Sequence, residues 1–376
     1  MRFSDFVTLQ RGFDLPKTEM REGPFPVLGS TSVIGHHSEF KVEPPGVVTG
    51  RSGSLGVVQF VDERYWPHNT ALWVKDFKGN QPKFVYYCMQ GLDFARFNAG
   101  AGVPTLNRNH LDSLEVNVPP LPIQRRIAGI LSAYDELIEN NQRRIKILEA
   151  MALATYREWF VNFRFPGHEL SSQVSSPLGE IPQGWEVRRV AEFADFTKGF
   201  EPGSAAYKKQ SGVGLVRFLR VGDLSKRNSG LFVDADLAKG RVLQPLDIAI
   251  TLDGSVGEVK LGLSGAYSSG VRRVDIKDTQ RLGWAFVYQL LLSDSIQAII
   301  HAHAKGTTIK HAGTAVAALV YVSPTKDVIE TYERIAAPLI RQVLVLQEQV
   351  ENLRRTRDLL LPRLLSGELD VEESAA

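Results

Sequence analysis

Asp247, Glu258 and Lys260, in the stretch "PLDIAITLDGSVGEVK", have the types and order of the Asp…Glu-x-Lys set with which many nucleases hold Mg²⁺ and a reactive water. Carboxylate oxygens suit that hard cation, and a nearby lysine can stabilise charge developing on a phosphate. The competing reading is a surface strand with ordinary charges. His36, His37, His301 and His303 could be metal ligands, but no carboxylate pattern supports them, and they read as surface or helix residues. "FNAGAG" (97–102) resembles a glycine-rich cofactor loop, yet it follows an apparent helix instead of a strand, the wrong setting for that role. Neither "EPPG" nor "VPPL" supplies the Asn/Asp-Pro-Pro-aromatic tetrad of a methyltransferase, and there is no G-x-x-x-x-G-K-[ST] phosphate loop. Cys88 is the only cysteine, which excludes an internal disulfide and a multi-cysteine zinc site.

Binding is the chemistry left open. The 376 residues are 43% hydrophobic and 23% charged, ordinary for a globular chain and long enough for two or three domains. There is no apolar run of membrane-spanning length. The start "MRFSDFVTLQ" has no apolar signal core, and with the lone cysteine this leads us to expect a cytoplasmic protein. Net charge is +2, but it is unevenly spread. Residues 1–120 hold 12 Lys+Arg against 12 Asp+Glu, whereas residues 186–323 hold 18 against 13, a balance of +5. That excess is compatible with an anionic partner such as nucleic acid.

The elements that would position such a surface occur twice. "FVTLQRGFD" (Phe6–Asp14) is answered by "FADFTKGFE" (Phe193–Glu201), and "RSGSLGVV" (Arg51–Val58) by "LDGSVGEV" (Leu252–Val259). "GVPTLN" (Gly102–Asn107) recurs loosely as "GTTIKH" (Gly306–His311). This repeat places Val57 and Gln59 opposite Glu258 and Lys260, which argues against the nuclease set. Each half ends in a long helix with apolar residues seven apart. In the first, Ile127, Tyr134, Asn141 and Leu148 form one column and Leu131, Ile138 and Ile145 the next. In the second the columns are Leu339, Leu346, Leu353 and Leu360, and Val343 and Val350. Either helix could pack on its own domain, but two in repeated positions favour pairing with each other, with Asn141 as a register-setting polar residue. Pro362 is expected to disturb the second helix near its end. Residues 166–185, rich in Ser, Pro and Gly, read as a linker. The plan is a domain at 1–120, a helix at 121–165, the linker, a domain at 186–323 and a helix at 324–376, with short strands and helices giving an α+β fold.

"PPLPIQRRIAGILSAYDELIENNQRRIKILE", "SPLGEIPQGWEVRRV" and "LLLPRLLSGELDV" together resemble the specificity subunits of type I restriction–modification systems. With the repeat, the likeness covers the whole chain. It implies two pseudo-symmetric target-recognition domains separated by two long antiparallel helices forming a coiled coil, each domain reading one half of a split site in double-stranded DNA. It implies a non-catalytic chain, with two modification subunits as partners and, in some systems, restriction/translocase subunits. S-adenosylmethionine, ATP and Mg would then be used by those partners, and this chain would hold no cofactor. The first half lacks the IPxGW motif, and the second helix lacks the LPxQRRI start seen at Leu121–Ile127.

Few side chains in such a protein read base edges; most bond phosphates and sugars. Arg to guanine and Asn or Gln to adenine are the usual readers. In the first domain the repeated loops offer Arg51, Ser52, Ser54, Thr105, Asn107 and Arg108. In the second they offer Ser255, Thr307, Thr308 and Lys310, and the basic run "RFLRVGDLSKRNSG" offers Arg217, Arg220, Lys226, Arg227 and Asn228. Taken singly, each could be a solvated surface residue. The rival functions are the metal-dependent nuclease above and a coiled-coil scaffold without DNA binding.

Overall fold

The computed structural model describes residues 1–98, 100, 102–225, 230–279, 281–369 and 371. They form two compact units, one of residues 1–141 with 349–376, the other of residues 142–348. The division falls inside the two long helices. Unit 1 is therefore completed by chain from the C-terminal end, and unit 2 is one continuous stretch.

Unit 1 carries β1 (Thr8–Arg11), β2 (Phe25–Leu28), β3 (Val33–His37), β4 (Gly46–Gly50), β5 (Val58–Val61), β6 (Trp66–Pro67) and β7 (Ala71–Asp76). A four-residue turn, α1 (Phe3–Phe6), precedes them, and α2 (Pro82–Gln90) follows. The antiparallel sheet has the order β1-β7-β4-β5, and a second sheet has the order β3-β2-β6 with β2 parallel to β6. All five residues of β4, "GVVTG", are buried, as expected of a strand paired on both sides and covered on both faces.

In unit 2 the strands are β8 (Gln173–Ser176), β9 (Gly179–Pro182), β10 (Glu186–Arg189), β11 (Ala194–Lys198), β12 (Leu215–Leu219), β13 (Phe232–Asp234), β14 (Val242–Leu243), β15 (Ile248–Thr251), β16 (Val259–Lys260), β17 (Gly265–Tyr267), β18 (Val271–Ile276) and β19 (Val320–Ser323). Its main sheet, β11-β18-β15-β16, repeats the order of β1-β7-β4-β5, and β13-β12-β17 repeats β3-β2-β6 with β12 parallel to β17 and β14 added at one edge. The weak sequence repeat therefore encodes one topology twice. Residues 166–185, expected as a linker, contain the β8–β9 hairpin, and Ile181 and Trp185 are buried. Their burial gives the segment a place in a core that its composition hides: Trp185 stacks on Phe165 at 5.0 Å.

The first long helix is α3 (Leu121–Tyr156), which runs into a wider π-type turn at Arg157–Val161. Further on come α4 (Ala235–Ala238), α5 (Trp284–Leu292), α6 (Asp294–Ala302) and the second long helix, α7 (Lys326–Ser366). The long helices run antiparallel and pair as a coiled coil. In unit 1, Ile127 and Leu131 share a core with Leu364, and Asn141 Nδ2 donates to Gln349 Oε1 at 3.4 Å. In unit 2, Ala152 and Tyr156 share a core with Tyr332, Ala336 and Ile340. Ile127, Leu131, Ile138, Asn141, Ile145, Val343, Leu346 and Val350 are buried; Tyr134, Leu148, Leu339, Leu353 and Leu360 are half-buried. The helix continues past both Pro338 and Pro362. Pro362 does not end it, because the turn beyond carries Leu364 into the core of unit 1, and that burial outweighs one lost backbone bond.

Side chains from the long helices cap the shorter ones. Gln124, 3% exposed, accepts from Gln81 N at 3.0 Å just before α2, and its Nε2 donates to Asn80 Oδ1 and the Pro119 carbonyl. That gives the glutamine of "LPIQRRI" a structural reason. Glu333 does the analogous job in unit 2, accepting from Phe286 N at 2.7 Å in the first turn of α5. Gly283 leaves room for it, since a Cβ there would collide with the Glu333 carboxylate.

Two predictions follow from these contacts. Asp135 accepts from Tyr87 OH and from Arg357 Nη1, both at 2.6 Å, and so ties α2, α3 and α7 together. Asp135→Ala is expected to destabilise unit 1 by about 1–3 kcal/mol, with clear non-additivity against Arg357→Ala in a double-mutant cycle read by urea unfolding. Additive effects would mean that the ion pair carries no coupling. The second concerns Glu333, whose carboxyl burial raises above its ordinary 4.5, opposed by the N–H groups of Phe286 and Ala285. The folded chain then holds this proton more tightly than the unfolded chain. Stability from this group is complete below about pH 4.5 and is lost as pH rises through the raised folded value. Glu333→Gln keeps the acceptor and cannot ionise, so urea midpoints measured across that range should decline less steeply than in the parent; identical slopes would refute it.

Candidate nucleic-acid interface

The repeated sequence "GF-acid" marks the first pair of loops. Gly12 N donates to the Ala71 carbonyl at 3.0 Å, and a Cβ on Gly12 would lie 2.1 Å from the His68 carbonyl oxygen. Gly199 repeats this, donating to the Val271 carbonyl at 3.2 Å, with a Cβ that would meet the Ser268 oxygen at 2.2 Å. Only glycine permits so close a backbone approach. Two residues on, Asp14 accepts from Asn69 Nδ2 and from Arg11 at 2.8 Å. The Asn69 hydrogen bond, with Arg11 beside it, holds the Asp14 carboxyl below the usual carboxylate range. In unit 2, Glu201 Oε1 accepts from Ser269 N at 3.0 Å and Ser269 Oγ at 2.6 Å. The acid thus ties this loop to the turn before β7 or β18.

Two further loops close against that turn. Gly53 and Gly56 both have φ +93°, and Gly254 and Gly257 have +77° and +90°, so the "GSxG" turns share one left-handed backbone pattern. Gly53 N donates to the Pro104 carbonyl at 2.9 Å and Leu106 N to the Arg51 carbonyl at 2.8 Å. The counterparts are Gly254 N to Lys310 at 2.8 Å and Ala312 N to Leu252 at 2.7 Å. This pairing aligns residues 100–106 with 306–312, two residues away from the alignment of Gly102 with Gly306 read from the sequence. Gly100 and Gly306 each sit where a Cβ would strike a carbonyl three residues later, at 2.0 and 2.1 Å, whereas Gly102 faces open space. Spacing alone does not show which glycine is sterically required.

At one end of the main sheet, each unit therefore gathers a GF-acid loop, a GSxG loop, the turn before the last strand and a fourth loop. Arg51 is half-buried and turned onto its own frame, with Nη1 donating to the Asn69 carbonyl at 3.2 Å. Ser52 bridges to Thr105 through the backbone, and Ser54 is exposed at the turn. Asn107 caps a short turn through Asn109 N, and Arg108, exposed, reaches the Leu9 carbonyl. In unit 2, Ser255, Thr307, Thr308 and Lys310 are exposed on the equivalent loops. Arg217 lies on β12, half-buried, and its Nε has no hydrogen-bond partner. Arg220 pairs with Asp223 at 3.0 Å, and the next residue, Val221, packs against Gly254. Lys226, Arg227 and Asn228 lie outside the described residues. Asp14, Glu201, Asn69, Ser269, Asp253, Arg272 and His311 are the loop-closing residues that the sequence reading did not single out. The repeated acid after "GF" was the available signal for the first two.

The apparent nuclease set has other employment. Asp247 accepts from Gln244 N within a turn, and Glu258 pairs with Lys260 at 3.6 Å. Among the described residues no group of three His, Cys, Asp or Glu could hold a metal ion. Cys88 is buried in the core of unit 1, which pushes its thiol up to about 12, the opposite of what a nucleophile needs. No helix among the described residues is long and apolar enough to cross a membrane.

Comparison with known proteins agrees with this frame. Residues 1–150 match the family model described as the type I restriction modification DNA specificity domain. The chain is 27% identical over 307 residues to the type I restriction enzyme MjaIX specificity subunit of Methanocaldococcus jannaschii, covering 77% of this chain and 70% of that one. It is 21% identical over 332 residues to the HindI specificity subunit of Haemophilus influenzae, covering 71% of each. Its fold is similar to the crystal structure of a type I restriction–modification S subunit from M. genitalium, with TM-score 0.69 and 17% identity over 97% of this chain and 95% of that one. The chain thus carries a match to a type I DNA specificity domain over residues 1–150, is similar over more than two thirds of its length to two type I specificity subunits, and has the fold of an S subunit.

Proposed function

We propose that this chain recognises a bipartite duplex target, each globular part reading one half-site, and directs two modification subunits to it, with restriction/translocase subunits where the system has them. S-adenosylmethionine, ATP and Mg belong to those partners, and the assembly works in the cytoplasm. Residues 1–120 and 186–323 act as the readers, residues 121–165 and 324–376 as the spacer, and residues 166–185 join them. One observation carries the reading. The same four-loop frame occurs twice in one chain with different side chains on it, which suits two half-sites of different sequence. Loops on a rigid scaffold are the usual carriers of such variation.

Selection from a random duplex pool, with the modification subunit present, tests this directly. Two short motifs separated by a fixed gap are expected. A single uninterrupted motif, or none, would overturn the proposal.

The spacer role makes a separate prediction, because both chain connections between the units run through the interiors of α3 and α7. One heptad inserted after Asn141 and another before Gln349 keeps the apolar seam in phase and lengthens the pair by ~10 Å. The selected gap should grow by about three base pairs, at ~3.4 Å each, with unchanged half-sites. Three base pairs also rotate one half-site by roughly 100°, so a loss of binding is compatible with the spacer role. Full binding at the original gap is not.

A further inference from the structure

In unit 2 the recognition loops are joined by charge. The Asp253 carboxylate lies 2.8 Å from His311 Nδ1 and 3.2 Å from Arg272 Nη2. Arg272, on β18, is 8% exposed, and its Nη1 donates to the carbonyls of Ser269 and Val271. One guanidinium thereby connects the GSxG loop, the turn before β18 and, through Asp253, the loop that ends at His311.

Unit 1 closes the same loops without this charged set; its guanidinium there is Arg51, which donates to the Asn69 carbonyl. The pairings of β4 with β7 and of β15 with β18 put Leu72 where Arg272 stands, and the isolated bridge Ser52–Thr105 corresponds to Asp253–His311. Leu72 is buried, so an apolar residue satisfies this position of the fold. Burying a guanidinium against a carboxylate is no improvement on a well-packed apolar side chain as far as stability goes. The charged set is better explained by what it presents. The His311 side chain is 64% exposed at the loop end. A carboxylate at Nδ1 favours the tautomer with its proton there, and in that tautomer Nε2 is the acceptor.

We propose that His311 is a specificity-determining contact of unit 2, accepting from the exocyclic amino group of an adenine or cytosine in the major groove, and that Asp253 and Arg272 are its positioning residues. This rests on the reading of unit 2 as a half-site reader.

The test is pool selection by the full chain in complex with its modification subunit, comparing the parent with His311→Ala, Asp253→Asn and the triple variant Asp253→Ser/Arg272→Leu/His311→Thr, which installs the residues of unit 1. In His311→Ala, preference for adenine or cytosine at one position of one half-site should fall about tenfold, while the other half-site is selected as before. Asp253→Asn should lose part of the same preference at the same position. The triple variant should retain the parent's thermal unfolding and lack the preference, which separates positioning from folding. A bipartite site selected unchanged by His311→Ala would overturn this inference alone, as would equal losses at both half-sites. A parent complex that selects no sequence would overturn the proposed function and this inference with it.

Discussion

Neither globular part of this protein closes its own core. The first needs the last turns of α7, whose Leu364 is buried beside Ile127 and Leu131; the second needs the last turns of α3, whose Tyr156 packs on Tyr332. Antiparallel pairing of the two helices is therefore a condition of both cores. The core of unit 1 joins residues more than two hundred positions apart, as the bond from Asn117 to the Leu365 carbonyl also illustrates.

On that base the chain builds one frame twice and varies its chemistry. Glycines 12 and 199 allow a strand end to pass against the turn before the last sheet strand, and an acid two residues later locks the crossing. Backbone bonds close the other two loops in the same pattern. Because these constraints fall on glycines and main-chain groups, the side chains between them can differ freely. Unit 1 joins its loops through the Ser52–Thr105 backbone bridge and the Arg51 guanidinium, and unit 2 through Asp253, Arg272 and His311. A scaffold held by its backbone can carry different surfaces on one design.

Much of this was legible beforehand. Heptad columns with a period near that of an α-helix mark helices whichever partner they meet, so α3 and α7 could be read from residues such as Leu131 and Leu346. Paired glycines with fixed spacing announce turns that no other residue tolerates, and their recurrence revealed the repeat. Family resemblance rested on the same local strings. Other features were hidden for a physical reason: they depend on which atoms approach through space. The hairpin at 173–182 looked like linker because its composition is polar, and only Trp185 stacking on Phe165 places its surroundings in a core.

The sequence by itself determined the periodic and sterically forced elements: the long helices, the glycine turns, the doubled plan and the absence of a methyltransferase tetrad or phosphate loop. Tertiary structure decided the rest. It set the exchange of helix ends between the two parts, the two-residue shift that matches Gly100 with Gly306, and the meeting of Asp253, Arg272 and His311 from three separate segments. Periodicity and backbone sterics act within a few residues and so leave a local trace. A carboxylate that meets both a histidine 58 positions away and an arginine 19 positions away leaves none until the chain is folded.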